Sequence, residues 1–548
     1  MEKRRFLQYA VLSIPFLLLV FFLIIPVGIV LVQGLTVGPG SKFEEVITSV
    51  VTHRILSFTL IQAVLSTLLA LILGLPGAFL LAKLSFTGKS LLRALLIVPF
   101  VLPPIVVVVG FLQMFGSGGI LDTMARFILN SQESVLDLAS GFTGIILAHA
   151  FYNIPLFILI VSAALEKLNP EYEEMAEVLG ANTVQKLKRI IIPHIRASVF
   201  AASILTFLFC FMSFPIVLAL GEGAYLTIEV QIWNAFRFFD YGESSSLALL
   251  QILITITLAY SYVRLGTGRH ETSGQTGYAR TYTLGELSKT ARVLIVFYSF
   301  ILLLLSFGPM ISIIRAAIYD PNTRQLTLNG FVNLGTPGIN GGLVPLINSL
   351  FYASLATVFS VILGTILAYT QREKIRGLAN LSSMITLLPL GVSAITIAYG
   401  LMIALAVPLG LTINPWILIV IAQTIIGIPF SARALEIAMS KIDQALLEQA
   451  ESLGANTLQR LFFVELPLLA QGIIVAAVFS FAMAIGEMSA TIFLARPENF
   501  TLSILIYRDL AVRKFVDAGA ASLVLVGFCV AAFILIEKFS QNGYGGTL

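Results

Sequence analysis

Residues 169–193 of the chain read NPEYEEMAEVLGANTVQKLKRIIIP, and residues 443–467 repeat the pattern as DQALLEQAESLGANTLQRLFFVELP. Within this segment, residues 177–183 and 451–457 differ at a single position. The copies lie 274 positions apart, which is half of the 548-residue length. Self-similarity at a fixed offset is the signature of a structural unit written more than once. The segment therefore predicts a chain of two homologous halves.

The amino-acid composition places most of this chain in lipid. Hydrophobic residues make up 58% of it and charged residues 11%, with a mean hydropathy of +0.96. A soluble domain is about 25% charged, and a compact soluble fold cannot bury this much apolar surface. The net charge of +4 comes without a concentrated basic surface, so we expect no nucleic-acid partner. Cys210 and Cys529 lie inside apolar runs and are interpreted as packing residues.

The apolar stretches predict about 12 transmembrane helices, since a bilayer core needs about 20 apolar residues per helix. They lie near residues 11–33, 56–82, 92–115, 142–165, 197–220, 246–265, 292–318, 346–370, 380–407, 415–433, 469–495 and 518–537. The first is longer than the apolar region of a secretory signal, and no small-residue cleavage site follows, so we interpret it as a retained helix. The predicted fold class is an all-α integral membrane protein.

Lysines and arginines predict the orientation, because they concentrate in cytoplasmic loops. With the N-terminus in the cytoplasm, most of them fall on the cytoplasmic side of twelve alternating helices, and the C-terminus is cytoplasmic as well. The outer loops 116–140 and 221–243 are net acidic. Loop 496–517 disagrees, because it carries four basic residues on the predicted outside. We therefore expect a multi-pass protein of the cell (plasma or inner) membrane, with one loop of uncertain topology.

The offset between the halves changes upstream of the repeated segment. It becomes 290 and there relates Gly74 to Gly364, Pro99 to Pro389 and Gly110 to Gly400. The predicted organisation is a first six-helix half at 1–266, a polar cytoplasmic linker at 267–290 and a second six-helix half at 291–548. Since six is even, both halves enter the membrane from the same side, as in transporters built from parallel repeats. Both copies of the repeated segment therefore face the cytoplasm.

Local signals predict a helix–turn–helix in the repeated segment. Pro170 suits the first turn of a helix, and the acidic residues that follow it favour the positive end of the helix dipole. Gly180 can end this helix with a left-handed turn, and Thr183 opens a second helix that we expect to close before Pro193. A surface loop joining two helix ends would explain a single copy equally well. Two copies at a fixed offset favour a two-fold docking surface for a soluble partner.

These residues resemble the signature of permease subunits of binding-protein-dependent (type I) ABC importers. The family pattern is Glu-Ala-Ala, three residues, Gly, nine residues, Ile, one residue, Leu-Pro. The first copy matches it as Glu174-Met175-Ala176, Gly180, Ile190 and Ile192-Pro193, and the second as Glu448-Gln449-Ala450, Gly454, Val464 and Leu466-Pro467. Both copies depart from it at the middle alanine, and the second replaces isoleucine by valine, while the spacing from glycine to proline is intact.

The resemblance implies partners and residue roles. In that family the short helix before the glycine is a coupling helix seated in a cytoplasmic ABC ATPase, so two ATPase copies would dock here, with a solute-binding protein outside and membrane lipid around. The implied docking residues are Glu174, Ala176, Gly180 and Pro193 in the first half, and Glu448, Ala450, Gly454 and Pro467 in the second. A fusion of both halves resembles the permeases of thiamine and ferric-iron importers. Stretches 144–155, 209–214, 226–229 and 534–538 look more like the thiamine branch.

The sequence lacks the signature of an ATP-hydrolysing subunit. A phosphate-binding loop reads G-x-x-x-x-G-K-[ST] and follows a strand. The nearest match, at residues 87–90, has Lys83 in place of the first glycine and lies between two predicted membrane helices. We therefore expect no catalytic residue and no cofactor in this chain, and ATP hydrolysis on a separate subunit.

Polar residues inside the predicted membrane helices are candidates for the translocation path, because each is costly to insert. Glu487, at the repeat position of Ser213, could line the path of a cationic solute or brace a glycine-weakened helix. His149 and Asn153 lie four residues apart on one helical face, where hydrogen bonds between helices would also explain them. No second ligand lies at helical spacing from a histidine, so we expect no metal site.

Prolines and glycines in the third and ninth helices predict bends. Pro103-Pro104 and Gly110, matched by Pro389 and Gly400, should kink both helices and help to shape the translocation pathway. Lipid packing alone would explain them equally well.

Two other classes of protein compete with an importer permease. An ion-coupled secondary transporter would not need matched cytoplasmic docking segments. An intramembrane enzyme would need a paired nucleophile and base, or a metal cluster, at membrane depth. The sequence therefore favours the translocation subunit of an ABC importer that carries thiamine or ferric iron, with an ion-coupled transporter as the alternative.

Overall fold

The computed structural model describes residues 13–36, 42–266, 281–321, 323–338, 341–372, 382–383, 385–386 and 388–541. The helices of the first sequence half are α1 (Ser13–Thr36), α2 (Lys42–Thr48), α3 (Val50–Lys83), α4 (Lys89–Val101), α5 (Pro104–Phe115), α6 (Ile120–Leu129), α7 (Gly141–Glu166), α8 (Pro170–Val178), α9 (Thr183–Phe211), α10 (Pro215–Leu220), α11 (Ile228–Arg237) and α12 (Tyr241–Gly266). Those of the second are α13 (Lys289–Ile318), α14 (Asn329–Leu334), α15 (Leu343–Arg372), α16 (Ala394–Ala406), α17 (Trp416–Ser440), α18 (Gln444–Ser452), α19 (457–485), α20 (Ser489–Leu494), α21 (Leu502–Ala511) and α22 (Phe515–Gln541).

Short elements complete the described chain. β1 (Leu84–Ser85) pairs in parallel with β2 (Tyr282–Thr283), and β3 (Tyr319–Asp320) pairs antiparallel with β4 (Gln325–Leu326). Single 3₁₀ turns lie at Leu284–Glu286, Leu388–Gly391 and Pro497–Asn499. A π turn interrupts α1 at Val20–Ile24, α9 at Leu187–Ile191, α16 at Met402–Ala406 and α19 at Leu461–Glu465.

Eleven helices among the described residues are long and apolar enough to cross a membrane. They overlap eleven of the twelve predicted spans. The remaining prediction, near 380–407, lies partly outside the described residues, and its described part contains α16, a shorter apolar helix. The predicted all-α membrane fold is therefore confirmed.

The third predicted span, 92–115, is wrong in its bounds. Leu102, which precedes two prolines, is extended (ψ 140°), so α4 ends before it and α5 begins at Pro104. The apolar span runs instead from Pro104 to Leu129. Part of the predicted outer loop 116–140 is consequently the helix α6.

The helix opened by Thr183 does not close before Pro193, contrary to the prediction. It continues as α9 through the proline and ends at Phe211. A proline in an α-helix removes one hydrogen bond and clashes with the carbonyl four residues earlier. Here that carbonyl belongs to Arg189, which lies in the π turn Leu187–Ile191, and the wider turn lets the helix pass the proline.

The helices repeat in the structure at the same offset as the residues repeat in the sequence. The helices α7–α12 correspond one to one with α17–α22, and α8 and α18 begin and end 274 positions apart. Both α9 and α19 carry their π turn at the same repeat position. Upstream, α5 and α16 begin 290 positions apart, as the changed offset predicts.

The described residues divide into two compact units, which do not follow the sequence halves. One contains residues of Met1–Val46, Ile232–Ile252 and Thr327–Leu548, and the other residues of Ile47–Gln231 and Leu253–Leu326. In the first unit α1 packs against α16, and in the second α13 packs against α5. The first helix of each sequence half is thus packed among helices of the other half. The division at 1–266, 267–290 and 291–548 stays a prediction, and residues 267–280 lie outside the described residues.

Gly110 and Gly400 lie at close contacts in this packing, and the predicted kinks at these glycines stay a prediction. A Cβ at Gly110 would lie 2.2 Å from the Pro309 carbonyl oxygen of α13, and one at Gly400 would lie 2.9 Å from the Pro26 carbonyl carbon of α1. Small residues allow such close approach of membrane helices. The chain departs from α-helix near Pro103, in the 3₁₀ turn that contains Pro389, and in the π turn Met402–Ala406 that follows Gly400.

Candidate functional site

α8 is a short helix with a defined start and end. Asn169 caps it by accepting a hydrogen bond of 3.0 Å from the Glu171 N–H, and Pro170 occupies the first turn. The chain turns at Gly180, whose φ of +79° lies in the left-handed region that glycine adopts without strain. Asn182 then starts α9 through two reciprocal hydrogen bonds of 2.9 Å with Gln185. The predicted helix–turn–helix is present in the first half.

The second half builds the same segment from partly different residues. Asp443 caps α18 by accepting a hydrogen bond of 2.9 Å from the Ala445 N–H. Gly454 has a φ of +89°, and Asn456 exchanges two hydrogen bonds of 2.9 Å with Gln459. We call residues 169–193 and 443–467 the docking segments, after the role that the resemblance implies for them.

The two docking segments expose equivalent positions. Leu179 is 86% exposed and Leu453 is 89% exposed, each directly before the glycine of the turn. A Cβ added at either glycine would meet no atom within 4 Å. Of the other predicted docking residues, Glu174, Glu448, Pro193 and Pro467 are exposed and Ala176 and Ala450 half-buried. A leucine exposed at the same position of the turn is therefore a feature that both halves share.

An ion pair closes each turn. The Lys186 ammonium lies 2.6 Å from the Glu177 carboxylate, and the Arg460 guanidinium lies 2.5 Å from the Glu451 carboxylate, at the same repeat positions. Both pairs join the short helix to the helix that follows the turn. They hold the exposed leucine at a fixed angle to the membrane-spanning helix.

The inward face of each short helix is anchored by different chemistry in the two halves. In the first, the Glu173 carboxylate forms a buried ion pair with Lys83 at the end of α3. In the second, the same repeat position is Leu447, which is also buried. The sequence did not identify either of these anchors. The Lys83–Glu173 pair could not be seen because it joins residues 90 positions apart. The acidic run 171–177 gave only a hint that one carboxylate faces inward.

Removing one partner of the Lys83–Glu173 pair is expected to destabilise the protein by about 3–5 kcal/mol, because a buried charge is left unpaired. Lys83→Met should therefore lower the unfolding temperature of the purified protein. Lys83→Met combined with Glu173→Leu should recover most of the loss, because it copies the apolar anchor of the second half. A double variant as unstable as Lys83→Met would contradict this reading of the pair.

In the second half the buried carboxylate lies in α19, the helix that follows the short helix α18, and not in the short helix itself. Glu465, in the π turn of α19, is fully buried and accepts a hydrogen bond of 2.6 Å from the Arg460 Nε. The Arg372 guanidinium at the end of α15 lies 3.6 Å from the same carboxylate, and the Tyr369 hydroxyl accepts a bond of 2.7 Å from Arg460. This network links the second docking segment to α15, as Lys83 links the first to α3.

Glu487 and Ser213 both lie where a membrane-spanning helix is interrupted. Ser213 is in the break between α9 and α10, and Glu487 is in the break between α19 and α20. The Glu487 carboxylate accepts hydrogen bonds from the N–H groups of Ala490 (2.7 Å) and Thr491 (2.9 Å) and from the Thr491 hydroxyl (2.7 Å). It thereby satisfies the first turn of α20, whereas α10 begins with Pro215, which has no N–H to satisfy.

His149 and Asn153 are both buried in α7, and Asn153 donates a hydrogen bond of 2.8 Å to the His149 carbonyl. Asn153 also lies 3.5 Å from the Cys210 Sγ on α9, so one of the predicted contacts between helices is present. Across the residues that the structure describes, no group of three or more His, Cys, Asp or Glu side chains could hold a metal ion.

Loop 496–517, the exception to the predicted charge distribution, has basic residues with local partners. Arg496 donates a hydrogen bond of 3.1 Å to the Thr412 carbonyl. The Arg508 guanidinium lies 3.5 Å from the Asp509 carboxylate in α21. Arg508 and Lys514 also line a polar cavity with Asp509 and Asp517.

Two repeats of membrane helices, each with an exposed docking segment, define a membrane transport protein of the two-half permease class. A family profile described as "binding-protein-dependent transport system inner membrane component" matches the chain twice, over residues 74–267 and 360–542. The chain belongs to this family. It is the multi-pass transmembrane subunit of a binding-protein-dependent ABC importer, with the type I permease fold.

Curated relatives match over nearly the whole chain. The "thiamine transport system permease protein ThiP" of Haemophilus influenzae is 27% identical over 94% of this chain and 94% of its own. The ThiP of Escherichia coli is 27% identical over 88% of each chain. The "ferric transport system permease protein FbpB" of Actinobacillus pleuropneumoniae is 25% identical over 98% of this chain and 79% of its own.

Proposed function

We propose that this chain is the membrane core of an importer driven by two copies of a cytoplasmic ABC ATPase, one on each docking segment. The observation that carries the proposal is the pair Leu179 and Leu453, which are almost fully exposed at identical turns in both halves. A leucine held in water at a rigid turn is well placed to enter a cleft of a partner. The ATPase is a separate chain, because this sequence has no phosphate-binding loop.

The orientation follows from the charges and from the docking segments. Most basic residues fall on the side where both docking segments lie, so this side is the cytoplasm and both termini are there too. The solute-binding protein then delivers its load on the opposite face, and lipid surrounds the spans. ATP binding would move the two ATPases, and Lys83–Glu173 and the Glu465 network would transmit that movement to α3 and α15.

Thiamine is the proposed solute. Relatives named for thiamine transport match this chain at 27% identity over 94% and 88% of its length. The runner-up is ferric iron, because the relative named for ferric transport matches 98% of this chain. The described residues contain no cluster of acidic, histidine or cysteine side chains on which a ferric ion could rest. A solute with its own hydrogen-bonding groups needs no such cluster.

Reconstitution distinguishes the two solutes. The chain is combined in proteoliposomes with the ATPase and the binding protein of the same importer, and ATP-dependent uptake of labelled thiamine and of ferric iron is measured in parallel. Uptake of thiamine that requires both partners is the expected result. Uptake of ferric iron alone would overturn the choice of solute, and uptake without the ATPase would overturn the proposed ATP-driven mechanism.

Glu487 is proposed to lie beside the translocation path, where its negative charge would favour a cationic solute. We expect Glu487→Gln to lower the rate of thiamine uptake severalfold and to leave the ATPase activity of the complex unchanged. The glutamine can still accept from the first turn of α20, so the loss of stability should stay near 1 kcal/mol, as for a weakened cap. Unchanged uptake with a lowered unfolding temperature would show that Glu487 only braces the helix.

A further inference from the structure

Six polar side chains meet inside the membrane-spanning helices of one compact unit. They are Gln62 and Ser66 of α3, His149 and Asn153 of α7, and Thr206 and Cys210 of α9; we call them the Cys210 cluster. None is more than 1% exposed. Only His149 and Asn153 among them stood out in the sequence, since glutamine, serine and threonine are unremarkable within an apolar run.

The contacts converge on Cys210. The Gln62 side-chain amide donates a hydrogen bond of 2.9 Å to the Cys210 carbonyl. The Asn153 amide nitrogen lies 3.5 Å from the Cys210 Sγ, and the Ser66 hydroxyl lies beside the same thiol. Thr206 is one helical turn before Cys210, and His149 is one turn before Asn153, on the same faces. Three helices therefore contribute to one polar site.

Several atoms of the Cys210 cluster are not satisfied within the protein. The Gln62 Oε1, both ring nitrogens of His149, the Asn153 Oδ1 and the Thr206 Oγ1 have no hydrogen-bond partner among the described residues. Buried polar atoms in folded proteins are nearly always paired with protein groups or with ordered water. Several unpaired atoms around one point offer hydrogen-bonding groups to a solute or to water.

The second half shows that the fold itself does not require this site. The residues at the equivalent positions are Tyr352, Ala356, Gln423, Gly427, Ser480 and Ala484. There Gly427 is packed so closely that an added Cβ would lie 2.6 Å from the Ser360 hydroxyl. The Ser480 hydroxyl lies 3.5 Å from the Gly427 carbonyl, a partner that Thr206 lacks among the described residues of the first half. At these six positions the described second half leaves one side-chain atom unpaired, the Gln423 Oε1, whereas the Cys210 cluster leaves several.

We propose that the Cys210 cluster is a transient solute-binding site in the first half, open to the pathway during transport and closed in the conformation described. It would take the uncharged, planar, hydrogen-bonding part of a solute, such as an aminopyrimidine ring. Two amides, an imidazole and hydroxyls offer donors and acceptors together, whereas the cluster has no carboxylate for a metal cation and no lysine or arginine for an anion. This inference rests on the proposed function, thiamine import, and states where the neutral ring of thiamine would bind.

The two cysteines of the chain make the site testable, because only Cys210 belongs to the cluster. In the complete importer, in proteoliposomes and with Cys529→Ala, labelling of Cys210 by N-ethylmaleimide is followed by mass spectrometry. We expect negligible labelling at rest, a rate about tenfold higher when ATP hydrolysis opens the site to water, and suppression of that increase by thiamine-loaded binding protein. The matched control is Cys210→Ala, in which thiamine should not alter labelling of Cys529.

The outcomes separate this inference from the proposed function. If the wild-type importer does not take up thiamine, the proposed solute is wrong. If it takes up thiamine but Cys210 stays unlabelled during turnover, or is labelled without thiamine protection, the cluster is a packing or hydration site and the inference fails. A second variant pair supports the reading: Gln62→Leu should raise the KM for thiamine uptake at least about fivefold, whereas Gln423→Leu in the second half should not, because buried hydrogen bonds confer such discrimination.

Discussion

Glutamate in place of both Leu179 and Leu453 is expected to release the ATPase from this protein and to abolish ATP-driven uptake. Each leucine lies directly before the turn glycine of its docking segment, with 86% and 89% of its surface exposed. A carboxylate placed in an apolar cleft must be desolvated without a partner. Loss of an apolar anchor at the centre of an interface costs about 2 kcal/mol or more, which is roughly thirtyfold in affinity at each site.

The measurement is co-purification of the ATPase with the solubilised complex, followed by uptake in proteoliposomes. Because both side chains are already in water, the substitutions should leave the unfolding temperature unchanged. The control is Leu326→Glu in the β3–β4 hairpin, a leucine that is 76% exposed and outside both docking segments. An ATPase that remains bound to the double variant, with uptake intact, would show that the docking segments are not its binding sites.

The turn glycines give an independent test of the same surface. Gly180→Val and Gly454→Val place a β-branched residue at φ values of +79° and +89°, where it is strained. Gly223→Val creates a similar strain at a φ of +71°, also with open space around its Cβ, but in a predicted outer loop. Both kinds of variant should lose comparable stability, and only those in the docking segments should lose the ATPase.

The docking segments could be predicted from the sequence because all their determinants are local. Pro170 at a helix start, Gly180 at a left-handed turn and Asn182 before a new helix act within a few residues of one another. The same local reasoning failed at Pro193, because the cost of a proline depends on the helix around it. A π turn relieves that cost, and nothing in residues 187–191 announces the turn.

The interior of the site could not be predicted, because it depends on pairs of residues that are distant in the sequence. Glu173 is one of several carboxylates in an acidic run, and the sequence does not show which of them pairs with Lys83. The fold brings Glu173 against Lys83. Glu487 was correctly identified as unusual, but its three hydrogen bonds to α20 exist only because the helix breaks beside it. Thr206 cannot be recognised as part of a polar site from the sequence, because the site forms only where α3 and α7 pack against α9.

The glycines of the third and ninth helices have contacts that the sequence pattern alone does not show. Their equal spacing in the two halves indicated a shared role, and bending was the local explanation. The structure places Gly110 against Pro309 and Gly400 against Pro26, so each contact joins helices from different sequence halves. A contact of this kind is invisible to reasoning within one helix.

Valine at Gly110 is therefore expected to be among the most damaging single substitutions in the protein. The added Cβ would sit 2.2 Å from the backbone oxygen of Pro309, which cannot rotate away as a side chain can. Overpacking usually costs about 1–3 kcal/mol, and we expect this backbone clash to reach or exceed the upper end. The fraction of monodisperse protein after solubilisation and its unfolding temperature should both fall clearly, and Gly400→Val should behave in the same direction, with its clash at 2.9 Å.

Gly28→Val is the matched control for this clash, because Gly28 lies in the apolar helix α1 and an added Cβ would meet nothing within 4 Å. It replaces a helical glycine by the same residue without forcing two helices apart, so its unfolding temperature should remain near that of the wild type. If Gly28→Val lowered the unfolding temperature as much as Gly110→Val, the loss would come from valine in a helix and not from the clash with Pro309. Equal tolerance of Gly110→Val would mean that α5 and α13 do not need this close contact, and that the exchange of first helices between halves is held by other residues.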